Sequence, residues 1–219
     1  MRLQFRSTRT YTARWPSRGV WARLQRMRII AGRHRGRKLL APEGDVTRPV
    51  TDRVKQSIFD VLSLAIYDAR VYDCFAGTGS MGLECLSRDA ESILFFEADR
   101  SALDLLNQNV QLLDDEHLCQ IIPGDLFQWF ARHPAPAEQD RADIIFLDPP
   151  YRFVRERAAD LQELARRLAV DHLKIAGTLV FRHDSSDTLE LPPLERYDQR
   201  KYGTQTVEFW TDYGESIPF

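Results

Sequence analysis

The sequence has few cysteines and lacks any long uninterrupted apolar segment. Its 219 residues include only Cys74, Cys85 and Cys119, and none of them forms a CxxC pair. This spacing argues against a disulfide framework or a cysteine-rich zinc site, and it favours a reducing cytosol. No apolar run approaches the roughly 18–20 residues that span a bilayer, and neither terminus has the pattern of a secretory signal. No low-complexity tract is present, and an apolar content of 43% excludes global disorder.

What the sequence does contain is a strongly uneven distribution of charge. The formal net charge is only −2. Residues 1–55 nevertheless contain 15 basic and 3 acidic residues, a balance of +12, whereas residues 56–219 contain 15 basic and 29 acidic residues, a balance of −14. A concentrated positive charge predicts either contact with a polyanion or a solvated basic tail.

Three segments are expected along the chain. Residues 1–26 hold seven arginines and no acidic residue, and we interpret them as a dispensable leader or the product of a mis-assigned translation start. An RNA-binding arm and an organellar transit peptide are the two other interpretations. Residues 27–50 are predicted to contain a small basic hairpin, with extended stretches at 28–31 and 38–41. Residues 51–219 are predicted to form the main domain.

The main domain shows the alternation of strands and helices that is typical of α/β proteins. Thr51 is predicted to cap a helix of about 15 residues. Short apolar runs that predict strands follow at 71–75, 92–98, 120–122, 143–147 and 178–182. Helical patterns lie between them at 82–88, 102–113, 126–132 and 155–168. This order predicts a doubly wound, mostly parallel sheet with helices on both faces, followed by an antiparallel pair at 195–201 and 204–212.

A glycine-rich segment follows the first predicted strand. Gly77, Gly79 and Gly82 match the pattern GxGxxG, and Glu97 lies 20 residues beyond Gly77 at the end of the next strand. Glycines let a ligand approach the backbone at the carboxyl end of a strand, and a carboxylate there accepts hydrogen bonds from a ribose diol. Nicotinamide-dependent enzymes and methyltransferases share this arrangement, and a purely structural turn also fits it.

Two further features favour a ligand that carries positive charge. Asp73 lies inside the first strand, where a buried carboxylate suits S-adenosylmethionine better than a pyrophosphate. The fourth strand is followed by Asp148-Pro149-Pro150-Tyr151, in which the prolines fix the turn. We expect this turn to direct Asp148, the Pro149 carbonyl and Tyr151 into the crevice of the glycine-rich loop. Taken alone, the Asp-Pro-Pro segment is equally compatible with an ordinary strand-ending turn.

Together these motifs resemble the RsmD family of bacterial class I methyltransferases. The segments that carry the resemblance are Gly32–Leu39, Thr47–Lys55, Asp73–Gly79, Leu147–Tyr151 and the turn at Lys201–Gly203. The resemblance implies a Rossmann-like, doubly wound, mostly parallel seven-stranded sheet with an antiparallel C-terminal strand, and S-adenosyl-L-methionine as the cofactor. It also implies methylation of the exocyclic N2 amine of a guanine in small-subunit (16S) ribosomal RNA, guanine 966 in the standard rRNA numbering.

The resemblance also assigns roles to individual residues. The residues expected to be catalytic are Asp148, Pro149 and Tyr151, the first two as acceptors for the guanine N–H groups and the third as a stacking partner. The residues expected to hold the cofactor are Asp73, Phe75, Ala76, Gly77, Gly79, Glu97, Asp125 and Leu126, with Glu97 on the ribose and Asp125 on the adenine amine. The residues expected to contact RNA phosphates are Arg33, Arg35, Arg37, Lys38, Arg48 and Arg53.

Several alternatives stay open at this stage. Asp125 also suits the N-cap of the following helix, and Arg53 also suits the carboxylate of the cofactor. The five histidines have no ligand spacing, so no metal is expected. The expected partner is ribosomal RNA or an assembling small subunit, with no membrane contact. The competing functions are an adenine-N6 DNA or protein-glutamine methyltransferase, a nicotinamide-dependent oxidoreductase, and an RNA-binding assembly protein without catalysis.

Overall fold

The computed structural model describes residues 27–42 and 50–212. Its strands are β1 (Arg70–Cys74), β2 (Ser92–Glu97), β3 (Cys119–Pro123), β4 (Ala142–Leu147), β5 (Leu173–Asp184), β6 (Glu195–Tyr202) and β7 (Gln205–Thr211). Its α-helices are α1 (Asp52–Val61), α2 (Ser80–Ser87), α3 (Arg100–Gln111), α4 (Leu126–Arg132), α5 (Arg152–Glu156) and α6 (Ala158–Arg167). Within the described ranges, no helix is long and apolar enough to cross a membrane.

All seven strands form one sheet in the order β3-β2-β1-β4-β5-β7-β6. The first five strands of this order are parallel, whereas β7 runs antiparallel to both β5 and β6. This topology confirms the predicted class, a mostly parallel Rossmann-like sheet with an antiparallel C-terminal strand. The strand order reverses between β1 and β4, and open α/β sheets bind their ligands at such a reversal.

Two hydrophobic cores cover the two faces of the sheet. Along β4, Ile144 and Phe146 belong to the core beneath α1 and α2, while Ile145 and Leu147 belong to the core beneath α6. Burial on both faces explains why the strand is an unbroken apolar run, as expected for a central parallel strand. The carboxyl end of β4 lies beside that of β1, because the backbone N–H of Asp148 donates to the Cys74 carbonyl at 3.3 Å.

The predicted helix lengths were wrong in two places. The helix capped by Thr51 ends at Val61 after 10 residues, because the following turns bring Ile66 and Ala69 into the core. The single helix predicted at 155–168 is instead two helices, α5 and α6, separated at Arg157. The backbone breaks there, at φ −135° and ψ 35°, and the Arg157 guanidinium lies 4.0 Å from the ring centroid of Phe127.

The basic hairpin is present, but it is more irregular than predicted. Its two arms share a single antiparallel bridge, between Arg28 and Lys38, and the residues between them form turns. Ile29 and Leu39 are buried in the same core as α1, so the hairpin packs on the main domain. The hairpin is therefore anchored on the domain surface, and its two arms point their polar residues outward.

Candidate active site

The loop after β1 leaves an open face of backbone at the carboxyl edge of the sheet. Phe75, Gly77 and Gly79 all have positive φ, at 62°, 56° and 84°. A Cβ on Gly77 would meet no atom within 4 Å, whereas a Cβ on Gly82 would lie 2.4 Å from the ring of Phe95. Gly77 therefore keeps one face of the loop accessible to a ligand, while Gly82 lets α2 pack closely on β2.

Asp73 lies underneath this loop and not on its surface. Its side chain is buried, and its carboxylate accepts a hydrogen bond from the backbone N–H of Gly82 at 2.8 Å. The pKa of Asp73 is raised to about 8, mainly because burial disfavours the charged carboxylate. The hydrogen bond from Gly82 lowers the pKa, whereas the nearby charges of Asp148 and Glu97 raise it further. In this position Asp73 holds the start of α2 against β1.

Glu97 faces the glycine-rich loop from the end of β2. Its Oε2 accepts from the Gly77 N–H at 2.7 Å, and its Oε1 accepts from the N–H groups of Ala98 at 2.8 Å and Asp99 at 2.7 Å. Three backbone donors therefore fix one carboxylate beside the open face of Gly77. This is the placement that a ribose-binding carboxylate needs, at the end of the strand after the glycine-rich loop.

Asp125 caps α4 at the neighbouring strand end. Its Oδ1 accepts from the backbone N–H groups of Phe127 at 2.9 Å and Gln128 at 3.4 Å. The residue is exposed, and Leu126 beside it is buried. The backbone N–H of Gly124 donates to the Glu97 carbonyl at 2.8 Å, so Asp125 follows a residue that is bonded to the end of β2. The capping role considered from the sequence is observed, and it leaves Oδ2 without a hydrogen bond to the described residues.

Asp148 and Tyr151 are joined by a residue that sequence reasoning missed. Arg182 of β5 donates from Nε to Asp148 Oδ1 at 2.8 Å, from Nη2 to Asp148 Oδ2 at 2.7 Å, and from Nη1 to the Tyr151 hydroxyl at 3.0 Å. Pro149 is buried and Pro150 is exposed. The sequence did contain a signal for this contact, because Arg182 directly follows the apolar run Leu179–Phe181. A charged residue at that position of a central strand normally has an acidic partner nearby.

Three aromatic rings connect the loop after β1 with the first turns of α4 and α5. The ring centroid of Phe75 lies 5.9 Å from that of Phe127 and 6.0 Å from that of Phe153, both edge to face. Arg157 covers the cluster, with its guanidinium 4.0 Å from the Phe127 centroid and 5.1 Å from the Phe153 centroid. The cluster links the glycine-rich loop to the segment after Tyr151.

The chemistry of these groups fits S-adenosylmethionine. Asp73, Glu97 and Asp148 are close enough that the charges of the last two raise the pKa of the first. The Glu97 carboxylate, which has no cationic partner among the described residues and lies beside the open glycine-rich loop, favours a ligand with ammonium and sulfonium groups and disfavours the pyrophosphate of a nicotinamide cofactor. Among the described residues, no group of three histidine, cysteine or acidic side chains has the arrangement of a metal site.

The basic residues predicted to contact RNA fall into two groups. Arg35, Arg37 and Lys38 are exposed on the hairpin, and Arg53 is exposed on α1; none of them pairs with an acidic residue in the described part of the chain. Arg33 instead pairs with Asp115 at 3.2 Å and with Asp89 at 3.8 Å, and it donates to the Leu86 carbonyl. The remaining predicted contact, Arg48, lies outside the described residues.

Comparison with known proteins gives a consistent result. The family model described as conserved hypothetical protein 95 matches residues 27–211. Ribosomal RNA small subunit methyltransferase D of Escherichia coli is 38% identical over 126 residues, or 58% of this chain and 61% of that protein, so the aligned region spans less than two thirds of that relative.

Two more relatives extend the coverage. Bacillus subtilis YlbH, whose name assigns it provisionally to the rRNA methyltransferases, is 38% identical over 167 residues, or 76% of this chain and 86% of that protein. The solved structure of Escherichia coli yhhF superposes with a TM-score of 0.72 at 27% identity, covering 86% of this chain and 99% of that one. The similarity therefore includes both the glycine-rich loop and the Asp-Pro-Pro-Tyr turn.

Proposed function

Because the chain belongs to the conserved hypothetical protein 95 (RsmD) family, we propose that it methylates small-subunit ribosomal RNA. The methyl group comes from S-adenosyl-L-methionine, and the acceptor is the exocyclic N2 amine of a guanine, with guanine 966 as the expected target. The observation that carries this proposal is the position of Asp148-Pro-Pro-Tyr151. This turn lies at the carboxyl end of β4, directly beside the glycine-rich loop of β1.

The proposed cofactor site consists of the loops at the carboxyl ends of β1, β2 and β3. When bound, the cofactor supplies an electrophilic methyl group on a sulfonium. Residues 75–79 contact its amino-acid portion, Glu97 binds the ribose hydroxyls, and Asp125 and Leu126 bind the adenine. Asp73 contributes by holding the loop, since its carboxyl is buried against the Gly82 N–H. The fixed carboxylate of Glu97 and the open face of Gly77 support this arrangement.

The proposed acceptor site overcomes the poor nucleophilicity of the guanine amine. The N2 lone pair is delocalised into the ring, so the amine must be oriented toward the methyl group. The Asp148 carboxylate and the Pro149 carbonyl accept its two N–H groups and favour a more pyramidal nitrogen. Tyr151 stacks on the base and holds it in line, and orientation of this kind accounts for several kcal/mol of a reaction barrier. The base must leave its stack to reach this site, which is least costly in an RNA loop.

The proposed RNA contact is the exposed basic surface of the hairpin and α1. Arg35, Arg37, Lys38 and Arg53 have no acidic partner in the described residues and are available to phosphates. Such contacts position the RNA without reading its sequence, and they weaken as salt concentration rises. Either ribosomal RNA or an assembling small subunit can serve as the partner, and both place the reaction in the cytoplasm.

A labelling experiment tests the proposal. The purified protein is incubated with methyl-labelled S-adenosylmethionine and small subunits that lack the modification, and the RNA is digested to nucleosides. We expect labelled N2-methylguanosine with the wild type and none with Asp148→Ala. The matched control is Asp143→Ala, which removes an aspartate at the opposite end of β4 and keeps the acceptor site. Label in N6-methyladenosine, or no label in RNA despite cofactor binding, would contradict the proposal.

A further inference from the structure

Arg182 connects the two side chains that the proposed mechanism needs. It lies near the end of β5, between the neighbouring strands β4 and β7, and its side chain is only 13% exposed. The guanidinium makes a bidentate ion pair with Asp148, a hydrogen bond to the Tyr151 hydroxyl at 3.0 Å, and a hydrogen bond to Gln205 Oε1 at 3.2 Å. It therefore contacts the proposed acceptor and the proposed stacking residue at once.

The geometry of these contacts fixes the orientation of Asp148. A planar guanidinium that meets both carboxylate oxygens sets the carboxylate plane as well as its position. Each of these oxygens keeps a second lone pair, so the carboxylate can still accept an N–H from a substrate. The guanidinium carbon also lies 5.5 Å from the Tyr151 ring centroid, and this cation–π contact restrains the tilt of the ring.

The same contacts leave Arg182 little capacity to bind RNA itself. A guanidinium has five N–H groups, and four of those of Arg182 are donated to Asp148, Tyr151 and Gln205. Gln205 begins β7 and is itself buried, so the guanidinium is also held by the neighbouring strand on the other side of β5 from β4. An arginine that served as a phosphate contact would instead present most of its donors to solvent.

We propose that Arg182 is the positioning residue of the methyl-acceptor site. It fixes the Asp148 carboxylate and the Tyr151 ring in the relative placement that receives the base, and it acts only through these two residues. The inference rests on the proposed function, because it presumes that Asp148 and Tyr151 hold the acceptor. It does not involve the cofactor loops, so cofactor affinity is expected to be independent of Arg182.

Kinetic comparison of matched variants tests this role. Arg182→Gln removes the cation, and Arg182→Lys keeps the charge but cannot engage both carboxylate oxygens in one plane. The control is Lys174→Gln, which removes the ion pair between Lys174 Nζ and Asp143, at 2.8 Å and 2.9 Å, between the same two strands at their opposite end. Thermal unfolding is recorded for all three variants to separate stability from activity.

We expect Arg182→Gln to lower kcat by about 10- to 100-fold, as misplacement of reacting groups does. The KM for S-adenosylmethionine and the affinity for S-adenosylhomocysteine should change less than about twofold, and Arg182→Lys should recover part of kcat. Lys174→Gln should leave kcat unchanged. An unchanged kcat in Arg182→Gln would overturn the inference. A raised KM for RNA at unchanged kcat would likewise overturn it, because that result identifies a phosphate contact.

A structural readout separates this inference from the proposed function. In a crystal structure of Arg182→Gln, we expect the Asp148 carboxylate and the Tyr151 ring to leave their wild-type positions, whereas in Lys174→Gln they should remain. Wild-type positions in the Arg182→Gln crystal would overturn the positioning role, whatever the RNA assay shows. Displaced side chains in the Arg182→Gln crystal, together with a wild-type protein that fails to methylate RNA, would support the positioning role while contradicting the proposed function.

Discussion

Replacing Glu84 by glutamine would test how the basic hairpin is fixed to the domain. Glu84 is fully buried on α2, and its carboxylate accepts from the backbone N–H groups of Ile30 at 2.8 Å and Ala31 at 3.0 Å. It also lies 3.5 Å from Nζ of Lys55, which is equally buried and donates to the Arg28 carbonyl at 3.0 Å. Arg88 Nε also donates to Glu84 Oε1 at 3.0 Å, so Glu84 has two cationic partners, and its pair with Lys55 connects α1 and α2 to the first arm of the hairpin.

The expected magnitude follows from the burial of both charges. Removing one partner of a buried ion pair costs about 3–5 kcal/mol, because the other charge is left uncompensated. Glutamine keeps one acceptor for the hairpin backbone, which favours the lower end of this range. Burial already lowers the pKa of Lys55 while Glu84 raises it, so in the variant Lys55 loses its proton more readily and part of the penalty is relieved. We expect a loss of about 3 kcal/mol in the free energy of unfolding.

Urea denaturation followed by circular dichroism measures this loss. A double-mutant cycle with Lys55→Met isolates the interaction of the pair, and we expect the double variant to be less destabilised than the sum of the two single variants. The control is Glu163→Gln, which removes the two exposed ion pairs of Glu163 with Arg166 and Arg167 on α6 and should leave the unfolding midpoint unchanged. A loss below about 1 kcal/mol for Glu84→Gln would refute the reasoning, since it would mean that the pair is not fully desolvated.

Two other predictions concern pH and salt. Asp73 has a folded-state pKa of about 8, above its ordinary value of 3.8, so the stability contributed by its bound proton is lost as pH rises from 3.8 toward 8. The unfolding free energy of the wild type, measured at pH 5, 6 and 7 relative to that of Asp73→Asn, should therefore fall by about 1.4 kcal/mol per pH unit. Parallel pH dependences of the two proteins would contradict this prediction. Replacing Arg35, Arg37 and Lys38 together by alanine should weaken RNA binding in a filter-binding assay, and the slope of the log of the binding constant against the log of the salt concentration should become shallower by roughly 3. The affinity for S-adenosylhomocysteine should stay unchanged. An unaltered slope would exclude the hairpin from the RNA interface.

The parts of the fold that sequence predicts well are those with local causes. The helix predicted at 126–132 is α4 with the same bounds, because Asp125 caps it with its own side chain and the apolar residues follow at helical spacing. The boundaries that failed depend on distant residues. The chain breaks at Arg157 where its side chain covers Phe127, and nothing within the helical pattern at 155–168 signals that contact.

The site shows the same division between local and distant causes. The glycine-rich loop and the Asp-Pro-Pro-Tyr turn are contiguous motifs, and the parallel order of β1 and β4 brings them together at one edge of the sheet. Arg182 belongs to no motif, since it reaches Asp148 from a strand 34 residues farther along the chain. Its partner becomes apparent only when β5 is paired with β4, and a single sequence does not supply that register.

Three carboxylates surround the glycine-rich loop, and their different partners give them different chemistry. Asp73 is buried against one backbone N–H, and its raised pKa of about 8 makes it largely neutral at pH 7. Glu97 accepts three backbone N–H groups, which hold a carboxylate in one orientation without supplying a full positive charge. Asp148 alone is paired with a cation. Arg182 orients both oxygens of Asp148, and Asp148 itself remains partly exposed. Asp148 therefore has a fixed orientation and is accessible to a substrate. An acceptor of guanine N–H groups requires both properties.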